Sequence, residues 1–216
     1  MEITWLGHAC FRLRGRDVVI VTDPYGGGDW SYPSFTTSAD VVTISHDHPH
    51  HADLSAISGR PRVLRDPGEY EIGGAMIWGV RTFRRGLDGE SARAKNTAYV
   101  ITLDDLTVCH LGDLGHPLTG DQLSQIKDSS VLLIPVGGHC TIGAAEAAEM
   151  VARIEPRIII PMHYGTPETS GYLELDGVDR FCREMAATDT TPQGRLNVTA
   201  GNLPSEPTVV LLEQRR

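Results

Sequence analysis

Three apolar, strand-like segments of this chain each lead into a histidine or an aspartate, and this pattern restricts the possible folds more than any other feature. The segments and their end residues are Val41–Ile44 with His46, Val108–Leu111 with Asp113, and Ile158–Met162 with His163. Continuously apolar strands are typical of sheets that are covered on both faces. Because layered α/β folds build their sites at strand ends, we expect the three polar side chains to lie along one sheet edge.

The other segments alternate between strand and helix after a β-rich opening. Helices are predicted from Thr119 to about Ile126, over Gly143–Ile154, and from an Asp176 cap to about Met185. The charged stretch Arg84–Lys95 is predicted to be an exposed loop. This order of elements excludes a pure sandwich or a helix bundle and favours an α/β or α+β layered fold.

The length of 216 residues is enough for one well-buried core and short for two full domains. We find no internal repeat and no interdomain linker in the sequence. Residues 1–216 are therefore expected to form a single domain.

Charge and cysteine content restrict the partners and the compartment. The 19 basic and 28 acidic side chains give a net charge of −9, which opposes nucleic acid as a partner. The residues MEITWLGHAC lack the pattern of a secretory signal, so we expect none, and no apolar run approaches the ~20 residues of a membrane span. The four cysteines form no CxxC pair and are expected to be reduced. We expect a cytoplasmic protein that acts on a small molecule. The sequence is compatible with a homo-oligomer.

The clearest chemical motif is a cluster of four histidines in six residues. The cluster is His46-Asp47-His48-Pro49-His50-His51, and it directly follows the first apolar strand. Neutral imidazoles are common zinc ligands, and crowding them costs little only when a cation organises them. A tag-like tract is the alternative, but the interleaved Asp47 and Pro49 and the adjoining strand argue against it. Nitrogen and oxygen ligands favour zinc, with manganese or iron as alternatives.

Several other residues are candidates for supporting roles. Asp23 is predicted to accept a ring N–H from a metal-bound imidazole, as such rings usually require. His8 and His110 lie on strand-like segments. Their side chains are expected either to lie beside the metal or only to pack in the protein interior. Trp30 and Tyr32, in a Gly-rich segment, either cover a substrate or pin the loop to the body.

The motifs together resemble those of the metallo-β-lactamase superfamily. They comprise the histidine cluster, the Gly112-Asp113 step and the late His163. Trp5–Ala9, Thr22–Pro24, Asp66–Glu71 and Pro161–Tyr164 are most similar to its ascorbate-6-phosphate-lactonase-like branch of metal-dependent hydrolases. The resemblance extends from Ile3 to about Thr166. It implies a four-layer αββα sandwich with a metal centre along one edge of the paired sheets.

The resemblance also implies a set of ligands for one or two metal ions. His46 and His48 match the ligands of a first ion, His51 and His163 match those of a second, and Asp113 matches the bridge between them.

Two positions depart from the family pattern. His50 replaces the signature aspartate, and Arg84 stands near the place where a mid-chain histidine is expected. A guanidinium at that place repels a cation. His50 could itself bind metal or accept a proton in catalysis, and His139 could supply the missing imidazole. Arg84 could instead bind an anionic substrate or merely lie in a solvated loop.

Two functions are compatible with these residues. The first is a zinc-dependent hydrolase that attacks a small anionic ester, lactone or phosphodiester through a metal-bound hydroxide, which Asp113 orients. The two departures motivate an alternative, a metal-poor, non-catalytic scaffold of the same fold that binds a ligand or partner.

Overall fold

The computed structural model describes residues 1–26, 32–86, 93–169 and 174–215. The strands of the first half are β1 (Glu2–Gly7), β2 (Cys10–Arg14), β3 (Val19–Thr22), β4 (Thr37–Ser38), β5 (Val41–Thr43), β6 (Ile57–Ser58), β7 (Arg62–Leu64), β8 (Gly68–Ile72) and β9 (Ala75–Arg85). Those of the second half are β10 (Arg93–Leu103), β11 (Leu106–His110), β12 (Val131–Pro135), β13 (Ile158–Met162), β14 (Leu196–Asn197) and β15 (Thr208–Val209). The helices are α1 (Pro49–Ala52), α2 (Gly120–Ile126), α3 (Ala144–Ile154) and α4 (Val178–Glu184).

The strands form two large mixed sheets and one small pair. The first sheet has the order β14-β1-β2-β3-β5-β7, and the second has the order β15-β13-β12-β11-β10-β9-β8. Strands β3, β5 and β7 run parallel to one another in the first sheet, as do β11, β12, β13 and β15 in the second. The ends of these parallel strands carry the polar residues identified in the sequence.

Alternation along the strands of the first sheet divides its side chains between two apolar clusters. Phe11 and Leu13 belong to the large core that also contains the side chains of the second sheet. Cys10 and Val21 belong to a smaller cluster with the aromatic ring of Tyr25. Since successive strand residues point to opposite faces, the sheet is buried on both sides.

The outer layers differ between the two sheets. Strand β12 is buried along its whole length, and α3 and α4 supply side chains such as Val151 and Phe181 to the same core. The first sheet is covered by the rings of Tyr25, Tyr32 and Phe35, and α1 is a single helical turn. The structure thus has the predicted mixed α/β architecture with paired sheets, which confirms the fold class.

The helices begin and end largely where local signals place them. The capping box of Thr119 and Gln122 is present at the start of α2. Helix α3 ends at Ile154, as predicted. The prediction that Asp176 caps α4 was wrong, because Gly177 is the N-cap and Asp176 instead accepts a hydrogen bond from Arg180 at 2.7 Å.

The prediction of an exposed loop over Arg84–Lys95 was also wrong at both ends of that range, and residues 87–92 between them lie outside the described residues. Strand β9 continues to Arg85 and β10 starts at Arg93, with Arg84 opposite Ala94 in an antiparallel pair. Arg84 is buried, whereas Arg93 and Lys95 on the opposite strand are exposed. None of the helices in the described ranges has the length and apolar character needed to cross a membrane.

Candidate metal centre

Asp113 occupies the middle of a buried cluster of polar side chains. Its Oδ1 lies 3.4 Å from Nε2 of His51 and 3.4 Å from Nε2 of His163, and its Oδ2 lies 3.6 Å from Nε2 of His46. The structure therefore brings together the three residues that the strand-end pattern singled out and His51 of the histidine cluster, from three strands of two sheets.

The turn after β11 aims the Asp113 carboxylate into this cluster. Gly112 adopts a left-handed backbone with φ of 55°, and a Cβ there would overlap Asn96 and Ser45. The Asn96 amide then holds the turn, because its Oδ1 accepts the Asp113 N–H at 2.9 Å while its Nδ2 donates to the Leu111 carbonyl at 2.9 Å. Only glycine allows this close approach of the turn to both neighbours.

Asp23 fixes the orientation of two imidazoles at once. Its Oδ2 accepts from His51 Nδ1 at 2.9 Å and from the Ser45 hydroxyl at 2.5 Å. Because that hydroxyl donates to Asp23, it accepts from His46 Nδ1, which lies 3.0 Å away. Both rings therefore carry their proton on Nδ1, and both Nε2 lone pairs face Asp113. The structure places Asp23 in the predicted supporting position, and it adds Ser45, which the sequence reasoning missed.

His8 lies closer to the cluster than its predicted supporting role required. Its Nε2 is 3.1 Å from Nε2 of His51, and its ring centroid is 4.1 Å from that of His163. His8 and His163 both adopt left-handed backbones, with φ of 51° and 52°, and the His163 N–H donates to the His8 carbonyl. His8 follows β1 as His163 follows β13, so its position after a strand was the available signal.

Cys140 is a further donor that sequence reasoning did not place in the metal centre. It is buried in the loop after β12, with Sγ 3.6 Å from Asp113 Oδ2. The adjacent His139, proposed as a substitute ligand, is exposed, so the loop presents the thiol and not the imidazole to the cluster. Arg85 holds this loop, because its N–H donates to the Cys140 carbonyl and its guanidinium to the Thr141 carbonyl, both at 2.9 Å.

The donor atoms fit a bound metal ion. Three overlapping groups of side chains place all their ligand atoms within 4.8 Å of one another in the part of the chain that the structure describes. These groups are His8-His51-His163, His46-His51-Asp113 and Asp113-Cys140-His163. The buried Asp113 Oδ1 has no hydrogen-bond partner among the described residues. His51 faces it with the lone pair of Nε2 and not with an N–H group. A cation between these atoms would satisfy both, and nitrogen, oxygen and sulfur donors suit zinc.

The protonation states within the cluster favour metal binding by most of its imidazoles. Burial lowers the pKa of His46 to about 4 and that of His51 to about 3, so both rings are neutral at neutral pH. Burial also lowers the pKa of His163, but the Asp113 carboxylate outweighs it and raises this pKa well above its usual value. The metal-free protein therefore carries a His163–Asp113 ion pair where a metal would bind.

His48 and His50 lie at the rim of the cluster. Neither belongs to the groups of donors found among the described residues. The His48 ring accepts the His50 N–H at 3.3 Å and so caps α1. The His50 ring centroid lies 4.7 Å from that of His48 and 6.2 Å from that of His8, and burial lowers the pKa of His50 to about 4.

The remaining predicted residues have separate locations. His110 bonds to the Ala9 carbonyl at 2.8 Å and accepts the Gly112 N–H at 3.2 Å, so it braces the turn before Asp113. Tyr32 is buried with its ring 5.8 Å from that of His8. Trp30 lies outside the described residues. Arg84 and His46 line one cleft together.

Two facing mixed sheets that deliver imidazole, carboxylate and thiol groups to one edge define a class of αββα metal-binding proteins. Residues 2–163 match the family model of the β-lactamase superfamily domain, which is well over half of the chain. The chain belongs to the metallo-β-lactamase superfamily.

Relatives of known sequence agree with this membership. A UPF0173 protein from Pyrococcus furiosus is 32% identical over 202 residues, which cover 86% of this chain and 90% of the relative. A UPF0173 metal-dependent hydrolase from Pyrococcus horikoshii is 28% identical over 193 residues, which cover 77% of this chain and 85% of the relative.

Two solved structures have a fold similar to that of this chain. A protein from Thermotoga maritima, assigned to the Zn-dependent hydrolases of the metallo-β-lactamase superfamily, superimposes with a TM-score of 0.76 at 39% identity over 98% of this chain and 97% of its own. A metallo hydrolase from Ignicoccus hospitalis superimposes with a TM-score of 0.68 at 20% identity, covering 100% of this chain and 96% of its own. The second likeness shows the fold alone.

Proposed function

We propose that this protein is a metal-dependent hydrolase that acts on a small anionic ester, lactone or phosphodiester. The observation that carries the proposal is the buried Asp113 carboxylate, which is surrounded by imidazole nitrogens and a thiol in a geometry that a cation would stabilise. The names of the similar proteins from Pyrococcus horikoshii and Thermotoga maritima support the same class of activity. We further propose that residues 1–216 are one domain that works in the cytoplasm on a free small molecule, not on nucleic acid.

The donor set has two sides that share Asp113 and His51. On one side His163, His8 and Cys140 add two imidazoles and a thiolate, and on the other side His46 adds an imidazole. A thiolate favours zinc over manganese or iron, which prefer oxygen donors or imidazole. When bound, zinc supplies Lewis acidity and lowers the pKa of a coordinated water to about 7.

The chain's own residues would position the reaction. Asp113, held by the Asn96 amide, would orient the attacking oxygen within the cluster. His50, at the rim, is a neutral imidazole at neutral pH and would be the candidate proton acceptor, although its lowered pKa makes it a weak base. Asp23 keeps the His51 and His46 lone pairs turned inward throughout.

One observation favours the alternative of a metal-poor scaffold. Burial is the main cause of the lowered pKa of His46 and His51, and the positive charge of the buried Arg84 lowers both pKa values further, so the same charge opposes a cation next to these rings. The alternative predicts little bound metal, whereas the hydrolase requires at least one ion per chain.

Metal content of untagged protein, measured by plasma mass spectrometry, tests the proposal first. We expect about one or two zinc ions per chain, and fewer than ~0.2 after soaking with zinc would overturn the hydrolase. Asp113→Asn should then lose metal and any hydrolysis of p-nitrophenyl esters or lactones. Asp40→Asn is the matched control, because Asp40 accepts the Val19 N–H in the first sheet and lies in none of the donor groups.

A further inference from the structure

A cationic cleft adjoins the metal centre and shares His46 with it. Its volume is about 510 Å³, within the range of small-molecule sites. The charged side chains of its lining are Arg65, Arg81, Arg84 and Lys95 on the positive side and Asp47 and Asp66 on the negative side. In a chain with a net charge of −9, this local excess of positive charge marks the cleft as a place for an anion.

The cations differ in how they are held. Arg84 is buried and lines the cleft together with His46, one of the candidate metal donors. Arg65 Nη1 is 3.7 Å from Asp47 Oδ1, and both side chains are substantially exposed, at 46% and 97%. A long, exposed ion pair of this kind contributes little, so Arg65 can turn to an anionic ligand at small cost.

We propose that this cleft binds the non-reacting end of the substrate and that this end carries a carboxylate or a phosphate. This inference rests on the proposed function, because it places the scissile bond at Asp113 and His46 and the anionic group among Arg65, Arg84 and Lys95. The planar guanidinium groups match the paired oxygens of either anion. Binding of the anionic group in the cleft then holds the scissile bond beside Asp113 and His46.

The test compares two esters with one leaving group. Zinc-loaded protein is assayed with p-nitrophenyl acetate, which is neutral, and with mono-p-nitrophenyl glutarate, which ends in a carboxylate. We expect kcat/KM to favour the glutarate on the order of tenfold or more. The Arg65→Ala and Lys95→Ala double variant should bring that ratio close to one. Arg62→Ala is the matched control, since Arg62 is exposed on the neighbouring β7 and does not line the cleft.

A binding measurement separates this inference from the proposed function. Inorganic phosphate, titrated into metal-free protein and followed by calorimetry, should bind more weakly to the double variant than to the wild type or Arg62→Ala. Equal ester ratios in all three proteins, with hydrolysis intact, would overturn the cleft proposal and leave the hydrolase standing. If neither ester is hydrolysed by zinc-loaded protein, the hydrolase fails for these esters, and the phosphate titration alone decides whether the cleft binds anions.

Discussion

The side chain of Asp23 determines how two candidate ligands present their lone pairs. It receives the His51 N–H directly and the His46 N–H through the Ser45 hydroxyl. An imidazole with its proton on Nδ1 has only Nε2 left to bind a metal, so this one carboxylate prepares two ligands. Burial raises the pKa of Asp23, while nearby histidines and the hydrogen bonds from Ser45 counteract that shift.

Asp23→Asn should weaken metal binding without removing a ligand. The amide is nearly isosteric, but its NH₂ group cannot accept the ring N–H, so the His51 proton would move to Nε2. We expect a loss of about 10- to 100-fold in zinc affinity, measured by competition with a fluorescent chelator. Asp40→Asn serves as the control, and an affinity equal to that of the wild type would contradict the tautomer argument.

Cys140→Ser should change which metal the protein prefers. Removing the thiol leaves nitrogen and oxygen donors, so the preference for zinc over manganese should fall. In the wild type, bound zinc should also protect Cys140 from alkylation, whereas the buried Cys109 belongs to none of the donor groups and its reactivity should not depend on zinc. The ligand assignment fails if zinc has no effect on the alkylation of Cys140.

Metal binding should release protons and strengthen as the pH rises. The folded pKa of His163 is raised, so its ion pair with Asp113 is fully formed below the unfolded value of about 6.5 and is lost as the pH climbs through the folded pKa. Zinc must displace this proton in order to bind His163. Calorimetry in two buffers at about pH 6 should therefore show proton release of at least about one proton per zinc. A count near zero would rule out this exchange.

Sequence reasoning found the members of the cluster that follow long apolar strands, namely His46, His51, Asp113 and His163. It gave His8 only a supporting role and did not place Cys140 in the site, because a position after a strand does not show how closely the two sheets bring these side chains together. The sequence analysis placed Arg84 on a loop because the residues around it are charged. In the structure β9 continues through these charged residues.

At the level of elements, the turns that follow the strands determine how accurately the candidate ligands are placed. Gly137 follows β12, and a Cβ added there would overlap the His163 backbone carbonyl. The strand that leads to Cys140 and the strand that leads to His163 therefore approach each other as closely as their backbones allow.

Gly137→Ala should displace His163 and lower stability together with metal affinity. Overpacking against backbone typically costs about 1–3 kcal/mol, which chemical denaturation of metal-free protein would detect. Gly120→Ala is the matched control, because a Cβ there meets nothing within 4 Å and lies at the start of α2. Equal stabilities of the two variants would show that the backbone contact is not tight.

Helices α2 and α3 were predictable because their signals are local. A capping box starts α2, and apolar residues at helical spacing followed by Pro156 define α3. The long β9–β10 hairpin was not predicted over its full length, since its outer end consists of charged residues that are depleted in strands. The β9 side of this end is held by loops of the second sheet, because the Gly115 N–H donates to the Phe83 carbonyl and the Arg85 N–H to the Cys140 carbonyl.

For the whole molecule, the donors come from both sheets. His8, His46 and His51 belong to the first sheet and its loops, whereas Asp113, Cys140 and His163 belong to the second. Removing zinc with a chelator should therefore lower the melting temperature. The loss of unfolding free energy should be about 4 kcal/mol when free zinc had been a thousand times its Kd. Asp113→Asn should show no response to the chelator, and an unresponsive wild type would favour the metal-poor scaffold.

The division of donors between two sheets also fixes the order of events during folding. His8 and His163 stand near opposite ends of the matched region, so an unfolded chain rarely holds them within reach of one ion. The donors meet only after the strands of each sheet have paired and the sheets have packed together. Zinc uptake is thus expected to follow the formation of the sandwich, so the rate of refolding should not depend on zinc concentration.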